Sequence, residues 1–169
     1  MTKGRRLEGR PNNGKAVVID PDQMYPPPDH LIAFDPGKTT GVAYFVNGQV
    51  KAQHQIKLDD LDEFLEDKYE RIFRNADPGV VIYENFKLFS WRAKQQSGSA
   101  MEASQAIGMI KSFARRTRAS IFDQSPQIKP IGYKWAGLTA PKNHSKSHEV
   151  DAYVHGVYWM VQGRMRQIG

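Results

Sequence analysis

Asp35 closes the apolar run LIAFD just before the turn PGKTTG, and Glu84 closes the β-branched run VVIYE. His148 and Asp151 stand three residues apart in HEVDAYVHG, with His155 one turn further along. A carboxylate where a strand leaves the core is costly, because burying one without a partner costs on the order of several kcal/mol. Three carboxylates and an imidazole that meet without a matching set of cations repel one another, and their pKa values rise. A divalent metal relieves that repulsion. Oxygen donors with an occasional imidazole suit Mg2+ or Mn2+, and two such ions roughly 3.5–4 Å apart can clamp the attacking and leaving oxygens of a phosphodiester. Singly, each acid reads more readily as a cap, a turn residue or half of an ion pair. Their conjunction is what points to metal-assisted phosphoryl chemistry.

That conjunction depends on the elements that carry the residues. HLIAFD reads as a buried strand, and TTGVAYFVNGQVKAQHQI as two strands joined at Asn47-Gly48, a strong hairpin signal. A helix follows, with Leu58, Leu61, Phe64, Leu65, Tyr69, Ile72 and Phe73 at helical spacing, stopped by Asp77-Pro78-Gly79. GVVIYENF has the unbroken apolar character of a central strand covered on both faces. A second helix runs from Ser99 to Arg118, ASIFDQ is a short fifth strand, and a last helix from about Ser147 to Met165 carries the stripe Val150, Val154, Val157, Tyr158, Val161 and Met165. Between residues 125 and 147 the connection is basic and punctuated by Gly and Pro. The order βββαβαβα predicts an α/β domain with a five-stranded mixed sheet flanked by helices. A right-handed crossover brings the strands of Asp35 and Glu84 side by side, so both acids sit on one sheet edge. His148, Asp151 and His155 share one side of the last helix, next to its apolar stripe.

At 169 residues the chain is the size of one domain, and its 40% apolar and 25% charged residues are ordinary for a globular protein. With no cysteine, a disulfide framework, a thiolate nucleophile and a Cys-based zinc site are excluded, which fits the cytosol. No apolar stretch approaches the roughly 20 residues of a membrane span and the N-terminus lacks a signal-peptide core, so a soluble intracellular protein is expected. Residues 1–29, with Lys3, Arg5, Arg6, Arg10 and Lys15 before MYPPPD, read as a basic arm ahead of a domain over residues 30–169; AVVID at 16–20 could be an added strand. The formal charge is +6, and residues 111–146 hold eight basic residues against Asp123 alone, which suggests a face for a polyanion such as nucleic acid.

Other motifs fail. Gly37-Lys38-Thr39 ends like a Walker A loop, but the required earlier glycine is Ile32. His148-Glu149 begins like a zincin helix, but the second histidine's place holds Ala152. His144, His148, Asp151 and His155 could hold zinc, although the hard-ligand site accounts for more of the acids.

The segments FDPGKTTGVAYF, VVIYENF, SGSAMEASQAIGMI, SPQIKPI and HEVDAYVHG, in this order over roughly residues 31–161, resemble the RuvC family of Holliday-junction resolvases, with a ribonuclease-H-type fold, in its bacteriophage form. The resemblance implies that Asp35, Glu84, His148 and Asp151 are catalytic and coordinate two Mg2+ ions, for which Mn2+ substitutes. One ion would carry the attacking water and the other would stabilise the leaving 3′ oxygen. It further implies that Lys129 contacts DNA near the scissile strand and that NFKLFSWRAKQQSGS probes the centre of the junction. There Phe86, Phe89 and Trp91, interleaved with Lys87, Arg92 and Lys94, would stack on opened bases and hold phosphates. Lys142 and Lys146, in the basic connection, are expected to be further DNA-binding residues. Family members are homodimers that make two symmetric nicks, with the helix beginning at Ser99 as the contact. One departure stands out: GYKWAGLTAPKNHSKS, between Lys129 and His148, is short and shows no obvious helix.

The expected function is therefore a metal-dependent endonuclease that resolves four-way and other branched DNA. Alternatives are a nuclease of the same fold acting on flaps, forks or RNA–DNA hybrids, and a non-catalytic branched-DNA-binding module. The sugar-kinase and actin-type ATPases, whose phosphate hairpin DPGKTTG also resembles, need two duplicated lobes and a much longer chain.

Overall fold

The structure is a computed structural model that describes residues 27–77, 79–86, 97–140 and 147–168. Its centre is one sheet of five strands, β1 (His30–Asp35), β2 (Thr39–Val46), β3 (Gln49–Lys57), β4 (Val80–Glu84) and β5 (Ser120–Gln124), in the order β3-β2-β1-β4-β5. Strands β1 to β3 are antiparallel neighbours, whereas β4 runs parallel to β1 and β5 parallel to β4. The hairpin between β2 and β3 turns on Asn47 and Gly48 with φ of 49° and 79°; two positive φ values in succession are what a type I′ turn requires.

Side-chain alternation divides the sheet into two faces. Ile32, Phe34, Val81 and Tyr83 point into one core, beneath α1 (Leu61–Leu65), α2 (Arg71–Arg74) and α3 (Ser97–Thr117). Leu31, Ala33, Val80 and Ile82 point into the other, beneath α4 (Lys129–Trp135) and α5 (His148–Ile168). Carried one step further, the same alternation aims Asp35, Glu84 and Gln124 toward α5.

The first helical segment buries Leu61, Leu65, Tyr69 and Phe73, a strict four-residue spacing. Such a stripe drifts around a helix of 3.6 residues per turn. A wide π turn at Glu66–Glu70, between α1 and α2, takes back part of the drift and keeps Tyr69 and Phe73 over the sheet. Glu70 is buried within it, paired with Arg74 at 2.5 Å and with Arg116 of α3 at 3.1 Å, so this helical segment and α3, on the same face of the sheet, are tied by charge as well as packing.

Two expectations are corrected. The connection after β5 does contain a helix. Ser125 caps its entry by accepting a hydrogen bond from the Gln127 amide at 3.2 Å, and a 3-10 turn at Pro126–Ile128 leads into α4. Pro126 and Pro130 lie in first turns, where no N–H is lost. Gly132 lets the helix approach α5, since a Cβ there would lie 2.5 Å from Cγ1 of Val154. Residues that read as loop punctuation are thus a helix start and a packing notch. On α5, the buried side is Ala152, Val154, Val157, Met160 and Val161, with Asp151 and His155 buried among them, while Val150 and Tyr158 are only half-buried. Gly156 lies against the Phe45 ring of β2, with no room for a Cβ.

Among the described residues no helix is long and apolar enough to cross a membrane. AVVID and the basic arm up to residue 26 lie outside the described residues.

Candidate active site

The parallel pairing of β1 with β4 and of β4 with β5 sets three strand ends in a row, Asp35, Glu84 and Gln124, along one edge of the sheet. Across this edge lie the first two turns of α5. The helix is seated closely because position 41, opposite Asp35 in the β1–β2 register, is glycine. A Cβ there would overlap the backbone carbonyl of His148 and stand 2.7 Å from the amide nitrogen of Glu149. Glu149 also ties the helix start to β3, its carboxylate accepting from the Gln55 amide and its backbone oxygen from Gln53.

Of the sequence-predicted site residues, Asp35, Glu84, His148, Asp151 and Lys129 come together. His148 Nδ1 is 2.8 Å from Oδ2 of Asp35. The Lys129 ammonium lies among the three carboxylates, 2.7 Å from Glu84, 3.1 Å from Asp151 and 3.9 Å from Asp35. The idea that no cation stands among these acids is therefore corrected: α4, the helix the sequence did not disclose, supplies one. Tyr133, one turn on from Lys129, donates to Oδ1 of Asp151 at 2.5 Å. His155 is fully buried, with Nε2 2.8 Å from Glu84 Oε2 and Nδ1 2.7 Å from the Gln124 side-chain oxygen.

The electrostatics follow from this arrangement. Burial alone would raise the Glu84 carboxyl, but the His155 hydrogen bond and the Lys129 charge outweigh it and hold Glu84 below its ordinary value. Burial works against the Lys129 ammonium, yet Asp35, Glu84 and Asp151 more than compensate and raise its pKa. The hydrogen bond to Asp35 raises that of His148.

Three carboxylates with a flanking imidazole are a hard, oxygen-rich donor set, and their grouping around an ammonium shows that they demand positive charge; the set fits Mg2+ or Mn2+ in kind. Among the described residues no three acidic or imidazole side chains stand in a ready-made metal cage. They close around Lys129 instead.

The other predicted contacts are placed differently. Phe86 is half-buried in the irregular segment after β4, where Asn85 bonds through its amide to the Gln124 carbonyl at 2.7 Å and through its side chain to Asp123 at 2.8 Å. Lys87, Phe89, Trp91, Arg92, Lys94, Lys142 and Lys146, with His144, lie outside the described residues. The described basic residues between 111 and 140 do not form a single face. Arg116 turns to Asp62 and Glu70, and Lys111, Arg115 and Arg118 line a cavity of about 400 Å3 beside Tyr83, on the sheet face opposite the acids.

Sequence reasoning missed Tyr133, Gln124 and the partnership of His155 with Glu84. A signal for Gln124 existed: it ends its strand as Asp35 and Glu84 end theirs. Tyr133 follows Lys129 by four residues, a spacing that means something only once the segment is known to be helical.

No protein-family model and no curated protein sequence matches the chain. Among solved structures, it is similar to Thermus thermophilus RuvC in complex with a Holliday junction substrate, with a TM-score of 0.57 and 15% identity over 80% of this chain and 95% of that one. It is similar also to Thermus thermophilus RuvC alone, with a TM-score of 0.56 and 16% identity over 80% and 96%. The yeast mitochondrial Holliday junction resolvase overlaps less well, with a TM-score of 0.46 and 10% identity over 82% of each chain. The mixed sheet, its strand order and its helices give this chain the RuvC fold, a ribonuclease-H-like architecture.

Proposed function

We propose that the chain is a divalent-metal-dependent, structure-selective DNA endonuclease that resolves four-way junctions and other branched DNA. The observation that carries this reading is the convergence of Asp35, Glu84 and Asp151, from two strands and a helix, on one cation at the sheet edge of a RuvC fold. Asp35, Glu84 and Asp151, with His148, would hold two Mg2+ ions, for which Mn2+ substitutes. Bound there, they supply Lewis-acid activation of water and stabilisation of the departing 3′ oxygen. His148, bonded to Asp35, fixes the orientation of that carboxylate. Lys129, whose side chain stays 26% exposed while it bonds the acids, contacts the scissile strand in this reading. Phe86 and the segment after it meet the junction's centre, and Lys142 and Lys146 are further DNA contacts. Met101, 63% exposed near the start of α3, lies where a homodimer contact on that helix would cover it.

The test is cleavage of a synthetic four-way junction in Mg2+, beside a flap and an RNA–DNA hybrid. Paired, symmetric nicks are expected on the junction, abolished by Asp35→Asn and by Asp151→Asn while junction binding persists. Cutting confined to flaps or hybrids would replace this reading with a nuclease of the same fold and another substrate. Binding without cutting in the native protein would leave a branched-DNA-binding module.

A further inference from the structure

His155 has no place in the set of acids and imidazole just assigned, yet its surroundings are the most fully bonded of any imidazole near the sheet edge. It sits one turn beyond Asp151 on α5, at 0% exposure, wedged between the ends of β4 and β5, and it bonds to each through a different nitrogen. Glu84 and Gln124, its two partners, are paired residues in the β4–β5 register and point toward the same face. A satisfied core histidine would look similar in its nitrogen bonds. The difference lies in what it bonds. Both the His155 imidazole and the Lys129 ammonium meet Glu84 at Oε2, at 2.8 and 2.7 Å. Among the described residues no partner falls on Oε1.

Gln124 completes the arrangement. It is 8% exposed, and its Nε2 has no partner among the described residues, while its Oε1 faces His155 Nδ1. The amide is isosteric under a half-turn. Turned, one Nε2–H donates to Nδ1, the imidazole is the Nε2–H tautomer, and that hydrogen is donated to Glu84, so each of these two hydrogens has an acceptor. The order Gln124, His155, Glu84 then fixes one tautomer and one carboxylate rotamer.

We propose that His155, held by Gln124, is a positioning residue that locks the Glu84 carboxylate through Oε2 and leaves Oε1 to meet a divalent cation. The inference rests on the metal-dependent reading of the cluster. Partners of this kind behind a ligating carboxylate change metal affinity by roughly 10–100-fold when removed.

The experiment measures Mn2+ affinity of the DNA-free protein by electron paramagnetic resonance, thermal unfolding in EDTA, and four-way-junction affinity in EDTA. His155→Leu keeps side-chain bulk and removes both bonds. His155→Gln retains an Nε2–H donor at a similar reach. Gln124→Met leaves His155 in place and removes only the hold behind it. The expected result is Mn2+ binding weakened about 10–100-fold in His155→Leu, restored to within about threefold in His155→Gln, and intermediate in Gln124→Met, with junction affinity in EDTA unchanged. Native-like Mn2+ affinity in folded His155→Leu overturns the proposal, as does His155→Gln failing as badly as His155→Leu. If His155→Leu does not fold, native affinity in Gln124→Met overturns it alone. A native protein that binds no Mn2+ overturns the metal reading itself, a separate and recognisable outcome.

Discussion

Replacing Gly41 with alanine adds one methyl group at the closest backbone approach of the candidate site. Its Cβ would meet the carbonyl of His148 and, at 2.7 Å, the amide nitrogen of Glu149, all backbone atoms that no rotamer change can move aside. Ordinary contact begins near 3.4 Å, so the nitrogen alone must retreat by the 0.7 Å between the two values, and the carbonyl by more. The first turn of α5 therefore shifts by about 1 Å, a displacement that can cost on the order of 10²-fold in rate when it misplaces a catalytic group. The His148–Asp35 hydrogen bond, 2.8 Å in the native protein, is the first to break. Two turns along, Gly156 against Phe45 and Ala152 in the core hold the helix, so the His155–Glu84 bond survives. Overpacking of this kind costs about 1–3 kcal/mol.

The assay is junction cleavage in Mg2+, with unfolding followed separately and junction affinity measured in EDTA. Gly41→Ala is expected to cut about a hundredfold more slowly, to unfold a few degrees lower, and to bind the junction as before. Because the loss passes through His148, Gly41→Ala combined with His148→Gln should be hardly worse than the poorer single variant. Cutting within about threefold of native by a folded Gly41→Ala protein would show that the close approach at position 41 does not position His148, and so would two independent losses that multiply.

Lys129→Met removes the ammonium from among three carboxylates, so the metal-free protein should unfold at lower temperature and Mn2+ should raise its midpoint by more than it raises the native one; equal shifts in thermal scans would refute competition between lysine and metal. Tyr133→Phe deletes the 2.5 Å bond to Asp151. A hydrogen bond to a charged group is worth about 1.5–3 kcal/mol, so chemical denaturation should show a loss of that order and cleavage should fall about tenfold. Burial, helped by Lys68, lowers the pKa of His54, whose Nε2 accepts from the Tyr69 hydroxyl at 3.3 Å when neutral. Its unfolded-state value is near 6.5 and its folded value lower, so its contribution is fully present above 6.5 and is lost as pH falls through that window. Between pH 7 and pH 5 the native midpoint should therefore drop further than that of His54→Gln in calorimetry.

The strands and their turn were legible because local chemistry dictates them: Asn47-Gly48 accepts positive φ, and short unbroken apolar runs bounded by turn residues read as strands covered on both faces. A right-handed crossover between two such strands then placed Asp35 and Glu84 on one edge. What lay hidden depended on contacts remote in sequence. Pro130 and Gly132 look like loop residues until Val154, on another helix, shows why a helix there needs a glycine facing it. With α4 unread, Lys129 and Tyr133 had no common face, and the acids seemed to lack any internal cation. On α5, the apolar count favoured Val150 and overlooked Ala152 and Gly156, since small residues reveal their role only through what packs against them.

The presence of Lys129 changes the electrostatic case for a metal without removing it. Unit charges about 3 Å apart interact by roughly 5 kcal/mol at an effective dielectric of 20, so one ammonium bonded to two carboxylates can hold the cluster together during folding. Asp35, at 3.9 Å, receives less of it and turns instead to His148. Three carboxylates against one lysine leave a negative balance, and a protonated His148 reduces that balance without cancelling it. A site assembled in this way folds in the absence of divalent ions and still attracts them. Metal-free protein should accordingly keep its junction affinity and its fold while losing only its cutting, whereas a site that needed metal to assemble would lose all three together.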